Sequence, residues 1–159
     1  MAKSPNGWQV SQDRDSIEVK NYMVEGTSIH FAVAKGAAPL LLAFAKWYNE
    51  HIEPIAGKTY DDWGYAYRAV RGQTEGFSNH ASGSAIDINS QKYPLKKKVM
   101  KPAQVKLIHE ECDRLGLKWG GDFSRIDEMH YEVALNPAAA AQLIDELNLP
   151  MPKIKGAKK

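Results

Sequence analysis

The stretch FSNHASGSAIDIN, residues 77–89, decides which fold and which site the rest of the chain must serve. Its second half, residues 84–89, alternates as a half-buried strand does, with Ile86 and Ile88 on one face and Asp87 on the other. His80 lies seven positions before Asp87, across Gly83. Imidazole and carboxylate groups are metal ligands. The stretch therefore predicts a core strand that carries Asp87 into a cleft beside His80.

A second short stretch, DEMHYE at residues 127–132, supplies a third candidate ligand, His130. The surrounding residues 129–135 alternate as a last strand, with His130 and Glu132 on one face and Tyr131 on the other. A catalytic zinc site uses three protein ligands and leaves a fourth position for water. The two stretches thus predict a zinc site formed by His80, Asp87 and His130.

A zinc hydrolase also needs a base and a positive group for the charge that develops on the scissile carbonyl oxygen. Asp127 lies three residues before His130, where it can reach the attacking water without binding the metal. Arg68, on the polar face of a strand predicted at residues 65–69, fits the second role, with Arg71 as the alternative.

Taken singly, each of these residues has an ordinary structural explanation. A lone histidine is usually structural or exposed, and we prefer that interpretation for His30, His51 and His109. Two ligand clusters with matching strand faces and a spare carboxylate are harder to explain in that way. Together they favour a metal site.

Composition indicates a soluble globular protein of one domain. Of 159 residues, 43% are hydrophobic and 25% charged, and the net charge of +2 argues against a nucleic-acid binder. We expect a monomeric zinc peptidase domain over residues 1–150, with residues 1–36 as an uncertain N-terminal extension and 151–159 as a disordered basic tail. The lysines at positions 96–98 and 101 are interpreted as a solvated loop rather than a contact for an anionic polymer.

The cysteine count and the apolar runs of the sequence argue against a disulfide-bonded or membrane-inserted protein. The single cysteine, Cys112, rules out an internal disulfide and is expected to be a buried small hydrophobe. No apolar run approaches a membrane span, and the first residues lack the apolar core of a secretory signal. We therefore expect synthesis in the cytoplasm without stable membrane insertion.

Periodicity predicts an α+β fold, with a small antiparallel sheet and helices packed on it. A hairpin is predicted from strands at residues 17–24 and 29–34. Helices are predicted from residue 37 to before Pro54, from Pro102 to Gly116, and from Asn136-Pro137 to about Asn148. A short extended piece is expected at residues 117–121.

The two motifs resemble those of a known family. Ser78-x-His80-x-x-Gly83-x-Ala85-x-Asp87, followed by an acidic residue two spacers before a histidine and an aromatic residue, is similar to the zinc-binding signature of the peptidoglycan D,D- and L,D-peptidases. That family includes D-Ala-D-Ala carboxypeptidases, vancomycin-resistance dipeptidases and phage L-alanyl-D-glutamate endolysins. LKWGGD at 117–122, AIDIN at 85–89 and an aspartate at position 127 look most like the endolysin branch. The resemblance covers roughly residues 40–135.

The resemblance implies the fold shared with the Hedgehog signalling domain and zinc on the three predicted ligands. It implies Asp127 as general base and then general acid, and Arg68, in a Tyr-Arg-Ala similar to the family's Tyr-Arg-Ser, as oxyanion stabiliser. Further candidates are Trp119 and Tyr131 for the cleft wall or its support, although aromatic residues at such places are more often core, and Ser78 and Asn89 for orienting the ligands.

The implied substrate is the stem peptide of bacterial peptidoglycan, cut between L-Ala and D-Glu. The alternatives are a D-Ala-D-Ala carboxypeptidase and a non-catalytic zinc or wall-binding module. We expect a phage lysin that crosses the membrane through a pore made by another protein and acts on the cell wall. Residues 1–35 match nothing we can place, and the spacing from Arg68 to His80 is shorter than in many relatives, which leaves Arg71 as a substitute.

Overall fold

A computed structural model describes residues 2–58, 61–68 and 76–157 and shows the predicted α+β fold. Three helices and two small antiparallel sheets make up the described part of the chain. The helices are α1 (Ala38–His51), α2 (Pro102–Leu115) and α3 (Pro137–Leu147). The strands are β1 (Val19–Met23), β2 (His30–Ala34), β3 (Ala85–Asp87), β4 (Leu117–Trp119) and β5 (His130–Val133).

The first sheet is the predicted hairpin. Strands β1 and β2 pair antiparallel from Val19 opposite Ala34 to Met23 opposite His30. The first strand begins later than predicted because a 3-10 helix occupies Arg14–Ile17. The Asp13 side chain starts that helix by accepting a hydrogen bond from the Asp15 backbone N–H.

The second sheet has the order β3-β5-β4 and carries two of the candidate ligands. Strand β3 was predicted to be half-buried, but both of its faces are covered, and Asp87 is only 2% exposed. The outer edge of β3 is also occupied, because Trp63 pairs with Asp87 as an isolated bridge.

The strand predicted at residues 65–69 is wrong for its described residues, 65–68, which form no strand; residue 69 lies outside the described residues. Instead this segment lies between β2 and the His80 loop. The Tyr65 N–H donates to the Ala32 carbonyl (2.7 Å), and the Ala66 N–H donates to the His80 carbonyl (3.1 Å). Gly64 makes this approach possible, because a Cβ there would lie 2.1 Å from the Ala32 oxygen.

The three predicted helices are confirmed. Helix α1 has Pro39 in its first turn, ends before Pro54 and is buried along most of its length. Helix α2 ends at Gly116, which adopts a left-handed conformation. The Asn136 side chain caps α3 by accepting a hydrogen bond from the Ala139 N–H. Phe44 of α1 stacks on Tyr131 of β5, which packs the central helix against the second sheet.

Both ends of the chain differ from their sequence-based expectation. In the N-terminal region, set aside as an extension, Trp8 is 6% exposed and belongs with Val19 and Tyr22 to the hydrophobic core. In the tail, predicted to be disordered over residues 151–159, Lys153 and Lys155 make backbone hydrogen bonds to β1 at 2.7 and 2.8 Å, while residues 158–159 lie outside the described residues. The outer edge of β1 offers unpaired backbone groups, which explains why the tail lies along it.

Two further observations concern the single cysteine and the length of the helices. Cys112 is buried, and burial is the main cause that raises the pKa of its thiol. Among the described residues, every helix is too short or too polar to cross a lipid bilayer.

Candidate metal centre

Three side chains that the sequence singled out converge on one point. His80 Nε2 lies 3.2 Å from Asp87 Oδ1 and 3.1 Å from His130 Nδ1, and His130 Nδ1 lies 3.2 Å from Asp87 Oδ1. All three side chains are buried. In the described ranges, 2–58, 61–68 and 76–157, no second group of three His, Cys, Asp or Glu side chains comes together in this way.

The triangle fits zinc. Tetrahedral zinc with bonds of about 2.0–2.1 Å sets neighbouring ligand atoms about 3.3 Å apart. The observed separations of 3.1–3.2 Å are close to that value. Two imidazoles and one carboxylate are also a donor set typical of catalytic zinc, which leaves a fourth position for water.

Strand register and one short helix place the ligands. Asp87 on β3 lies directly opposite His130 on β5, so the two side chains share one face of the sheet. His80 comes from a 3-10 helix, Asn79–Ser82, capped by Ser78, whose side chain accepts from the His80 N–H. Gly83 ends that helix with φ +69°, and a Cβ there would lie 2.6 Å from the Ala34 nitrogen. Gly83 is therefore required both for its conformation and for its contact with β2.

Each ligand is held by a hydrogen bond on its other polar atom. His80 Nδ1 lies 2.7 Å from the Gly64 carbonyl oxygen, which can only accept, so Nε2 is left to bind a metal. The Trp63 indole N–H donates to Asp87 Oδ2 at 2.7 Å. His130 Nε2 lies 2.7 Å from Glu132 Oε1, which turns Nδ1 toward the other ligands. Such partners orient ligands and tune the metal.

The sequence proposed different residues for this orienting role. Ser78 contacts the backbone of His80 rather than a ligand atom. Asn89 holds the chain after α1, accepting from the Ala56 N–H and donating to the Pro54 carbonyl. The strict alternation of β5 could have pointed to Glu132, which shares the face of His130.

The electrostatics of the cluster favour positive charge between the two carboxylates. Burial alone would raise the pKa of Asp87, but the charge of His80 and hydrogen bonds with His130 and His80 hold it well below its usual value. Burial alone would lower the pKa of His130, yet hydrogen bonds with Asp87 and Glu132 raise it to about 10. The carboxylates on both sides of the ring thus stabilise positive charge at this point.

The ligands form part of the lining of a cleft of about 260 Å³. Its other walls include the side chains of Pro5, Arg68, Leu95, Phe123, Arg125 and Asp127. A larger groove of about 770 Å³, between α1, the tip of the hairpin and residues 149–153, lies away from these ligands. Chemistry at the metal centre therefore belongs to the smaller cleft.

The predicted base and the predicted cation share that cleft. The Asp127 N–H donates to the Gly120 carbonyl (2.9 Å), and its carbonyl accepts from the His130 N–H (3.0 Å), so its backbone is fixed beside the ligand strand. Arg68 lines the cleft, whereas Arg71 lies outside the described residues. Arg125 is a second guanidinium that the sequence did not single out.

Neighbouring residues have other tasks. Glu128 is 1% exposed and accepts hydrogen bonds from the Val99 and Met100 N–H groups. Trp119 and Tyr131, candidates for the cleft wall, its support or the core, are core residues that are 4% and 0% exposed. The Trp119 indole donates to the Glu128 carbonyl.

A comparison with family models gives one match. The model described as D-alanyl-D-alanine carboxypeptidase matches residues 71–133, a range that includes His80, Asp87, Asp127 and His130 but not Arg68. Searches of curated proteins and of solved structures each found no match. The family match and the His-Asp-His cluster together support a zinc peptidase of the kind that acts on peptidoglycan.

Proposed function

We propose that this chain is a zinc-dependent endopeptidase that hydrolyses the L-Ala-D-Glu bond in the stem peptide of bacterial peptidoglycan. The observation that carries the proposal is the triangle of ligand atoms, 3.1–3.2 Å on each side, in a cleft that also holds Asp127 and Arg68. The match to a peptidase family supports the general class of reaction. The resemblance of residues 117–122 and 85–89 to the phage endolysins supports the choice of bond.

His80, Asp87 and His130 would hold the zinc ion. When bound, zinc supplies a Lewis acid and lowers the pKa of a coordinated water. In the proposed reaction Asp127 accepts the proton of the attacking water and returns it to the leaving amine. Arg68 stabilises the negative charge that develops on the carbonyl oxygen. Glu132 does not compete for the role of base, because its two oxygens accept hydrogen bonds from His130 and Asn79.

A D-Ala-D-Ala carboxypeptidase is the second candidate, and two observations favour it. The matching family model carries that description. In addition, Arg125 lines the cleft beside Asp127, and a guanidinium is suited to bind a free carboxylate in a bidentate manner. A substrate with a free C-terminus would place such a carboxylate one residue beyond the scissile bond.

A non-catalytic zinc or wall-binding module is disfavoured. A module of that kind has no need for a base or an oxyanion stabiliser, yet Asp127 and Arg68 both line the cleft. We further propose that the protein acts as a monomer on the cell wall, after synthesis in the host cytoplasm and release through a membrane pore. The net charge of +2 gives no basis for nucleic-acid binding.

The bond that is cut can be identified by mass spectrometry of digestion products. Purified peptidoglycan and a synthetic stem pentapeptide with an acylated N-terminus would be incubated with the zinc-loaded protein, with and without a chelator. We expect fragments that begin with D-Glu, and no fragments when the chelator is present. Release of D-alanine alone would show that the activity is that of a carboxypeptidase. Binding to the wall without any product would overturn the proposal that the protein is an enzyme.

A further inference from the structure

Residues 4–8, which the proposed reaction does not use, are packed against the metal centre. Ser4 and Trp8 are 4% and 6% exposed. The Ser4 hydroxyl oxygen lies at hydrogen-bond distance, 2.8 Å, from Ser82 Oγ in the 3-10 helix that carries His80. The Trp8 indole N–H donates to the Leu135 carbonyl at 2.8 Å, just beyond β5. The segment is therefore anchored at both of its ends.

Asn6, in the middle of this segment, joins the two strands that carry ligands. Its side-chain amide donates to Ser84 Oγ at 2.7 Å and to the Val133 carbonyl at 2.9 Å. Ser84 immediately precedes β3 and Val133 ends β5, and the two are themselves joined by a backbone hydrogen bond of 2.9 Å. Asn6 thus fixes the strand ends that set the positions of Asp87 and His130.

A chain of hydrogen bonds runs from Asn6 to the ligand His130. The Asn6 backbone N–H donates to Asn79 Oδ1 (3.3 Å), Asn79 Nδ2 donates to Glu132 Oε2 (2.7 Å), and Glu132 Oε1 faces His130 Nε2 (2.7 Å). The directions are mutually consistent. A carboxylate can only accept, so Asn79 must present its NH₂ to Glu132, and its oxygen is then free to accept from Asn6.

We propose that residues 4–8 are a positioning segment for the metal centre, which acts on His130 through Asn79 and Glu132. Without this support the His130 ring can rotate and no longer presents Nδ1 at a fixed point. Pro5 of the same segment lines the cleft, so the segment also forms part of the wall that a substrate meets. This inference rests on the metal site of the proposed function, but not on the reaction or its substrate.

Zinc affinity is the direct readout, measured by competition with a chromogenic chelator on the full chain. Loss of a residue that supports a metal ligand typically weakens metal binding about 10- to 100-fold. We expect that range for Glu132→Ala and Asn79→Ala, and a weakening of about tenfold for Asn6→Ala. The matched control is Asn49→Ala, which also removes an asparagine side chain that holds a backbone group, the Ile55 N–H, but lies away from the cleft. It should leave zinc affinity within about twofold of wild type.

A double-mutant cycle separates this relay from a general loss of stability. If Asn79 acts through Glu132, Asn79→Ala should not weaken zinc binding further in a Glu132→Ala protein. Asn6→Ala keeps the backbone N–H that reaches Asn79 and removes the side-chain bonds to Ser84 and Val133, so it should still weaken zinc binding there. An additive effect of Asn79→Ala, or wild-type affinity in Asn6→Ala and Asn79→Ala, would overturn the inference. Circular dichroism would establish that each variant is folded, and Ser4→Ala, which removes the hydroxyl that donates to Asn6 Oδ1 at 2.6 Å, replaces Asn6→Ala if that protein fails to fold.

The two proposals fail in different ways. A protein that binds zinc with the expected order of affinities but cleaves no peptidoglycan would remove the proposed function and leave the positioning role standing. If the wild type cleaves peptidoglycan and these variants bind zinc as tightly as it does, the positioning role is removed and the proposed function stands.

Discussion

At the scale of single residues, two adjacent carboxylates have separate tasks. Asp127 lies in the cleft with the three ligands, whereas Glu128 is buried and accepts hydrogen bonds from two backbone N–H groups in the loop before α2. The sequence alone does not distinguish them, since both could be loop charges. The structure separates them by the surroundings of their side chains.

Glu128→Ala is expected to lower the free energy of unfolding by about 3 kcal/mol, because it leaves the N–H groups of Val99 and the buried Met100 without their acceptor. Urea unfolding followed by circular dichroism measures this loss. The control is Glu146→Ala on α3, where an exposed glutamate makes one weak side-chain contact, and it should change stability by no more than about 0.5 kcal/mol. Equal stability of the two variants would contradict the structural role of Glu128.

The ligands could be predicted from sequence because they belong to two short motifs in which strand alternation fixes the direction of the side chains. The residues that hydrogen-bond these ligands could not all be predicted in this way. Trp63 and Gly64 reach the ligands only through the path of residues 61–68 between β2 and the His80 loop, and no local pattern encodes that path. Glu132 was within reach of prediction, because it shares a strand face with His130.

At the scale of elements, the segment of residues 63–66 connects the first sheet to the metal centre. Tyr65 bonds to β2, Ala66 bonds to the His80 backbone, and the carbonyl of Gly64 accepts from the His80 ring. Because Gly64 has no Cβ, the segment lies close enough to β2 to make all of these contacts.

Gly64→Ala is therefore expected to affect the fold and the site together. The new methyl group would lie 2.1 Å from the Ala32 oxygen, so the segment must move away from β2 and take the acceptor of His80 with it. We expect a loss of stability of more than about 2 kcal/mol and zinc binding at least about tenfold weaker. Calorimetric titration with zinc and thermal unfolding measure the two effects.

Gly26→Ala is the control, because a Cβ at the tip of the hairpin meets nothing within 4 Å. It should lower the free energy of unfolding by only about 1–2 kcal/mol, because alanine is strained at a positive φ, and it should leave zinc affinity unchanged. Wild-type zinc affinity in Gly64→Ala would show that the Gly64 carbonyl does not hold His80.

The helices and the hairpin were predictable, since proline, glycine and asparagine mark their ends. The path of residues 65–68 was not predictable, because an alternation of aromatic residues indicates an extended segment but not its partner. Here Trp63, two positions before the predicted start, forms the bridge to Asp87.

At the scale of the whole molecule, the first and the last described segments of the chain belong to the packed structure. The N-terminal residues contribute Trp8 to the core and Asn6 to the metal centre. The C-terminal segment lies along β1, and Lys155 lies near enough to contribute, after burial, to the lowered pKa of His30. Composition suggested a disordered tail because lysine is its commonest residue, yet backbone hydrogen bonds do not depend on side-chain type.

Deletion of residues 152–159 is expected to lower the free energy of unfolding by about 1–3 kcal/mol, since two backbone hydrogen bonds to β1 are lost. The matched control keeps the backbone and replaces Lys153 and Lys155 by alanine, which should cost less than about 0.5 kcal/mol. Urea unfolding of the three proteins gives the comparison. A deletion without effect on stability would restore the expectation of a disordered tail.

The central claim is that zinc on His80, Asp87 and His130, with Asp127 as base, hydrolyses peptidoglycan. The most direct test compares zinc content and peptidoglycan digestion in the wild type and in Asp127→Asn. We predict one zinc ion bound by each protein, with digestion by the variant at least about 100-fold slower and digestion by the wild type abolished by a chelator and restored by zinc. Digestion by Asp127→Asn at the wild-type rate, or by the wild type freed of metal, would contradict the account.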